Sequence, residues 1–132
     1  FNGELSVDDL PTAWNSMFKD WFGIDVPEDR LGCLQDIHWS MGAFGYFPTY
    51  TLGNLYAAQL LEAMTSELGD VDDLIGAGDW QPMLDWLRPR IHARGSLVSP
   101  AQIIEDATGS PPSPEPFLRY VERKYGALYG LD

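Results

Sequence analysis

A long stretch almost without charge constrains the fold of this chain more than any other feature. From Leu31 to Leu61, Asp36 is the only Asp, Glu, Lys or Arg, although 21% of the 132 residues are charged. Such a stretch is expected to be largely buried in a folded protein. Its first half has no helical period and is rich in glycine. The sequence therefore predicts an active-site loop over residues 31–50 that packs inside the fold or lines a cleft.

A loop buried in this way must satisfy its polar groups. Gln35, Asp36 and His38 lie together in it, and a buried carboxylate needs a cation or several hydrogen-bond donors close by. Few cations are near in sequence. The partner is therefore expected from another part of this fold or from polypeptide outside this chain, which favours interpreting the chain as a fragment.

The remaining sequence has the periodicity of helices. Apolar residues recur at spacings of three and four, and caps, prolines and glycines mark the ends. The predicted helices run from Leu10 to Gly23, Thr51 to Leu68, Asp79 to about Ile91 with a kink or end at Pro89, Ser99 to Gly109, and Ser113 to Gly130. Useful strand alternation is absent from the sequence. The predicted fold is all-α, a helical array forming a single region over 1–132.

Charge and cysteine content restrict the partners and the compartment. The net charge of −12 argues against binding to nucleic acid or to an anionic membrane, since both require clustered Lys and Arg. No apolar run approaches the ~20 residues of a membrane helix. The single cysteine, Cys33, cannot form an internal disulfide, which favours a cytoplasmic location. Cys33 also lacks any local sign of thiolate activation, so it is not a candidate nucleophile.

One motif in the uncharged stretch resembles a known family. Residues 32–39 read G-x-x-Q-D-x-H-W and match the motif of the carboxypeptidase Taq family at Gly32, Gln35, Asp36, His38 and Trp39. The resemblance continues through residues 44–59, 91–92, 116–118 and 124–131. It therefore spans nearly the entire chain.

The resemblance implies a zinc metallocarboxypeptidase that removes C-terminal residues from peptides. In that family two histidines of an HExxH helix and a later glutamate hold one zinc ion, and the HExxH glutamate is the general base. This sequence has no HExxH, DxRxT or HES element. We therefore expect this chain to be the C-terminal part of a larger, mostly helical HExxH-type peptidase. The chain itself is expected to contain no metal ligands and to be inactive alone. Its expected partners are the peptide C-terminus, the missing N-terminal part and a second copy in a homodimer.

The resemblance also suggests which residues act on the substrate. His38 and Tyr50, twelve residues apart, resemble the paired donors that related HExxH peptidases place at the developing oxyanion, and Tyr46 is the competing tyrosine. A neutral imidazole can donate from one nitrogen while a neighbour holds the other. For either tyrosine, the alternative is a packed aromatic ring with its hydroxyl bonded to backbone.

Other polar residues receive supporting roles. Asp36 is predicted to anchor a basic group, plausibly the arginine that grips the substrate carboxylate. Gln35 and Trp39 either contact substrate or shape the wall of the cleft, and packing is favoured for Trp39. His92 is expected at a helix end. Two acidic clusters are interpreted as solvated faces: Asp70, Asp72 and Asp73, and Glu105 and Asp106.

Two alternatives to a peptidase fragment remain open. The Gln-Asp-x-His-Trp cluster could be a satisfied polar network in a non-catalytic helical dimerisation or scaffolding module. A self-contained small hydrolase would instead require zinc bound by this chain. An HExxH sequence upstream in the same reading frame would favour the peptidase.

Overall fold

A computed structural model describes residues 3–131, so Phe1, Asn2 and Asp132 of the predicted region lie outside the described residues. The described chain is helical, with no strand in it, which confirms the all-α prediction. Its seven α-helices are α1 (Leu10–Phe22), α2 (Ile37–Ser40), α3 (Pro48–Leu68), α4 (Val71–Ala77), α5 (Gln81–Leu87), α6 (Pro100–Thr108) and α7 (Glu115–Tyr129). The chain divides into two compact units, which we call the N-terminal unit (Phe1–Phe47) and the C-terminal unit (Pro48–Asp132).

The N-terminal unit contains one long helix and almost no buried apolar side chain. Helix α1 ends where Gly23 takes a left-handed conformation and donates its N–H to the carbonyl of Lys19, as the sequence predicts. None of the side chains of α1 is buried. Among the described residues of this unit, Cys33 is the one buried apolar side chain, with 2% of its surface exposed.

The C-terminal unit has a core of its own, built on α3. Four buried apolar residues form the core cluster: Met64, Val71, Trp86 and Ala107. Partly buried side chains from α3, α5 and the turn after α5 pack around them. Helix α3 begins three residues before the predicted Thr51 and ends at the predicted Leu68. Helices α6 and α7 agree with their predictions to within two residues.

Pro89 ends the α-helical geometry of α5, as predicted. The helix stops at Leu87, and the chain continues in a π turn over Arg88–His92 in which the N–H of Ala93 donates to the carbonyl of Arg88 at 2.8 Å. The wider turn accommodates the proline, which has no N–H of its own. His92 is the last residue of this turn and is exposed, so it does lie at a helix end.

Helix α4 is missing from the sequence predictions. The side chain of Asp70 accepts a hydrogen bond from the N–H of Asp72 at 2.9 Å and caps the helix. Asp72 and Asp73 occupy the first turn, where negative charge interacts favourably with the helix dipole. The acidic residues interpreted as a solvated face therefore also start a helix.

One buried polar side chain connects α3 to the segment between α6 and α7. Gln59 is 5% exposed. Its Nε2 lies 3.1 Å from each of three acceptors, Thr108 Oγ1, Ser110 O and Pro111 O, and its Oε1 accepts from the N–H of Ser113 at 3.0 Å. A single amide thus holds the proline-rich segment against α3.

No helix among the described residues is long and apolar enough to cross a membrane.

Candidate active-site loop

The motif segment folds as three short helical turns in the N-terminal unit. A 3₁₀ turn at Asp29–Leu31 is followed by a second at Cys33–Gln35 and then by α2. Gly32 separates the two 3₁₀ turns. A Cβ atom at Gly32 would lie 2.7 Å from Cγ1 of Val26 and 3.1 Å from Oδ1 of Asn15. The glycine of the motif is therefore required by close packing.

We expect Gly32→Ala to destabilise the N-terminal unit by about 1–3 kcal/mol, because Val26 and the backbone must move to admit the methyl group. The control is Gly53→Ala within α3, where an added Cβ meets nothing within 4 Å. That change should be neutral or stabilising by up to ~1 kcal/mol. Thermal unfolding of both variants measures the difference. Equal midpoints for the two variants would contradict the packing explanation.

Asp36 and His38 form the centre of the motif. Oδ1 of Asp36 accepts the backbone N–H of His38 at 2.8 Å, which caps α2, and lies 2.5 Å from Nδ1 of the same residue. The two side chains are 10% and 16% exposed. In the described residues, the hydrogen bonds of the Asp36 carboxylate are thus made by His38. The predicted pairing of Asp36 with an arginine stays a prediction for residues outside this chain.

Two aromatic rings fix the plane of the His38 ring. Tyr46 stacks on it with centroids 5.2 Å apart and planes inclined by 23°. Phe47 approaches edge-on, with centroids 5.6 Å apart and planes at 76°. The imidazole is therefore held by one carboxylate and two rings, all within the same unit.

Gln35 and Trp39 both make contacts within the N-terminal unit. The side-chain amide of Gln35 donates to the carbonyl of Arg30. Trp39 meets Trp14 of α1 edge to face, with centroids 6.1 Å apart. This contact agrees with the packing role favoured for Trp39. A contact of either residue with substrate stays a prediction.

Tyr50 belongs to the C-terminal unit, where it lies in the first turn of α3 and is 53% exposed. Its pairing with His38 stays a prediction, and Tyr46 is the candidate tyrosine that the structure places on the His38 ring.

The expectation that the loop is buried is not met within this chain. Six of its large apolar side chains are between 50% and 67% exposed, although Cys33 is buried: Leu34, Ile37, Met41, Phe44, Tyr46 and Phe47. The side chains of Asp36 and His38, in the same segment, are largely shielded from solvent. The composition correctly indicates that the segment has an apolar surface, but the residues of this chain leave much of that surface exposed.

Helix α1 of the same unit also has an uncovered apolar face. Its aromatic side chains and Met17 line an apolar groove of about 180 Å³. Met17, Trp21 and Phe22 are between 49% and 71% exposed. The N-terminal unit therefore presents apolar surface on both its helix and its motif loop.

Groups of three or more His, Cys, Asp or Glu placed to hold a metal are absent from residues 3–131. Within that range Asp36 and His38 form a pair that belongs to no such group. A metal-dependent reaction would need ligands from elsewhere.

The helical fold and the Asp-His motif are typical of a helical metallopeptidase. The pattern of the carboxypeptidase Taq (M32) metallopeptidase family matches residues 1–125. The chain belongs to this family. It is 52% identical over 130 residues to thermostable carboxypeptidase 1 of Thermus thermophilus, covering 98% of this chain and 26% of that protein.

Solved structures agree with the family assignment. The M32 carboxypeptidase of Deinococcus radiodurans R1 superimposes with a TM-score of 0.91 at 36% identity, over 97% of this chain and 26% of that one. Metallocarboxypeptidase 1 of Trypanosoma cruzi gives a TM-score of 0.88 at 40% identity, over 94% of this chain and 26% of its own. This chain therefore spans about a quarter of the length of the relatives it matches.

Proposed function

We propose that this chain is the C-terminal part of a zinc-dependent metallocarboxypeptidase and provides one wall of its active site. The single observation that carries the proposal is the G-x-x-Q-D-x-H-W motif, folded so that Asp36 and Tyr46 contact the His38 ring within a segment whose apolar side chains are exposed. A polar cluster in such a position is suited to a cleft that a second body of polypeptide closes. Family membership provides the reaction class.

The zinc ion would be held by residues outside this chain, and it would activate water for attack on the last peptide bond. The present residues would bind the substrate and donate hydrogen bonds to the oxyanion that forms. A tyrosine hydroxyl is protonated at neutral pH and can donate directly. Tyr46 and Tyr50 are the two candidates, and Gln35, Asp36 and Trp39 would line or support the same wall.

The test uses the longer protein of which we propose this chain to be a part, here called the parent-length protein or the parent. It is loaded with zinc, and release of the C-terminal residue from a short peptide is measured. The parent should be active, whereas this chain alone should show no turnover because it lacks base and metal ligands. Tyr46→Phe and Tyr50→Phe should separate the oxyanion donor from a packing ring, since loss of one donor lowers kcat by about 10²–10³-fold. Turnover by this chain alone, or an inactive zinc-loaded parent, would reject the proposal.

The exposed apolar face of the N-terminal unit favours a second function, association with another copy of the chain. We therefore include a homodimer in the proposal. We also propose a cytoplasmic location, because the one cysteine, Cys33, is buried and free. Light scattering of the purified chain should give more than the monomer mass of 14.8 kDa. A monomer at high concentration would argue against the dimer and against the non-catalytic dimerisation module.

A further inference from the structure

We propose that the pocket between the end of α3, the start of α4 and α7 binds a free α-amino acid with an apolar side chain. Arg123 would hold the carboxylate of the ligand and Asp72 its ammonium group. The choice of an amino acid rests on the function proposed above, which releases one at each turnover. The charge pattern of the pocket stands on this chain alone.

A turn of the main chain forms one side of this pocket. Helix α3 ends at Leu68, Gly69 takes a positive φ of 87°, and α4 begins at Val71. The pocket has a volume of about 400 Å³, which lies in the range of small-molecule sites. All its lining residues belong to the C-terminal unit, which has a core of its own. The pocket is therefore complete within one unit.

The pocket lining combines apolar side chains with charges of both signs. Val71 is 2% exposed and belongs to the core cluster, and Leu61 packs against that cluster. Asp70, Asp72 and Arg123 line the same pocket and are exposed. A ligand with an apolar side chain, one positive group and one negative group complements such a lining.

Arg123 is the one cation of the described chain without a polar partner. Six of the eight Lys and Arg side chains form salt bridges: Lys19, Arg30, Arg88, Arg90, Arg94 and Arg119. Lys124 donates a hydrogen bond to the hydroxyl of Tyr120 at 2.8 Å. Within residues 3–131, the guanidinium of Arg123 makes neither kind of bond. Its donors are thus available to a carboxylate from solution.

The two aspartates of the pocket differ in what the fold requires of them. The carboxylate of Asp70 accepts the N–H of Asp72 and caps α4. The carboxylate of Asp72 has no salt bridge or hydrogen bond in the part of the chain that the structure describes. Asp72 and Arg123 therefore line one pocket without bonding to each other. An α-amino acid carries both of its charged groups on one carbon atom, so a single molecule could bridge the two side chains.

Nitrogen-15 NMR titrations of this chain with three ligands test the proposal. The ligands are L-leucine, L-leucinamide, which lacks the carboxylate, and N-acetyl-L-leucine, which lacks the ammonium group. We expect L-leucine to bind with a Kd of about 1–10 mM and to shift the amide signals around the pocket. Each modified ligand should bind about three- to fivefold more weakly. A general attraction to the acidic chain, with its net charge of −12, would instead make the cationic leucinamide the tightest ligand.

Two substitutions assign the charges of the ligand to their partners. Arg123→Gln should remove the preference for L-leucine over L-leucinamide and keep the preference over N-acetyl-L-leucine, and Asp72→Asn should do the reverse. The matched control is Arg88→Gln, the same chemical change on an exposed arginine that does not line the pocket. This control should leave all three affinities unchanged.

Two results with the unsubstituted chain would overturn the proposal. Leucinamide that binds as tightly as leucine would exclude a carboxylate site at Arg123, and shifts spread evenly over the surface would exclude the pocket. Because the unsubstituted chain decides both points, a variant that fails to fold does not rescue the proposal. The titrations need neither zinc nor turnover, so an inactive parent would reject the proposed function and leave the binding result standing.

Discussion

Gln59→Glu should lower the free energy of unfolding of the C-terminal unit by about 3–5 kcal/mol, the largest loss that we expect from an isosteric change in this chain. The substitution exchanges one NH₂ group for an oxygen and leaves the side-chain shape unchanged. The Gln59 Nε2 atom faces only acceptors, Thr108 Oγ1, Ser110 O and Pro111 O, each at 3.1 Å. A glutamate oxygen there would meet two carbonyl oxygens instead of bonding to them.

Burial makes this exchange costly. Gln59 is 5% exposed, so a carboxylate would lose its hydration without gaining a cation, and a protonated carboxyl could satisfy only one of the acceptors. The bond from the N–H of Ser113 to Oε1 could survive. We therefore expect Gln59→Met, which removes all the hydrogen bonds but adds no charge, to cost less than Gln59→Glu.

Urea unfolding followed by the fluorescence of Trp86, with the other four tryptophans replaced by phenylalanine, measures this effect in the unit that contains Gln59. The matched control is Gln81→Glu, the same chemical change on an exposed side chain in the first turn of α5. It exchanges an exposed hydrogen bond to Asp85 for a like charge, so the variant should stay within ~1 kcal/mol of the unsubstituted sequence. If Gln59→Glu and Gln81→Glu unfolded at the same urea concentration, the amide of Gln59 would not be the clamp described above.

Local sequence signals predict most of the helices, because caps, glycines and prolines act on the backbone within a few residues. The helices that end at Gly23 and Gly109 have a glycine with positive φ immediately after the last turn, and Pro89 marks the end of α5. Helix α4 also had a local signal, the cap at Asp70. Acidic residues suit a solvated surface as well as a helix start, so this signal alone does not predict a helix.

Long-range contacts were outside the reach of the sequence. The motif identifies Asp36 and His38, whose contact is local, whereas the arginine expected to pair with Asp36 stays a prediction because it would lie far away in sequence. Gln59 lies in the stretch that resembles the family, yet nothing local distinguishes it, because its partners are 49 to 54 residues away in the chain. Composition indicates that an apolar surface needs covering but not that the covering residues lie in the same chain.

The second large effect that we expect is a difference in amide hydrogen exchange, caused by the apolar surface that this chain leaves exposed. We expect backbone amides of α1 in this chain to exchange about 10²-fold faster than amides in the middle of α3. Resistance to local unfolding follows the apolar area that opening exposes. Opening α3 exposes Met64 and the rest of the core cluster, whereas α1 has no buried side chain and Cys33 is the one buried apolar residue among the described residues of its unit.

The same measurement on the parent-length protein distinguishes two explanations for fast exchange in α1. The N-terminal unit could be unstable in itself, or it could be unstable only because its apolar face is exposed in this chain. If polypeptide outside this chain covers Trp21, Phe22 and the motif loop, the amides of α1 should gain protection of about 10²-fold in the parent, while those of α3 near Met64 change little. The α3 amides are thus the internal control for a general stabilisation. Equal protection of α1 in the two proteins would mean that the exposed apolar face stays open to water, and the inference that polypeptide outside this chain covers it would fail.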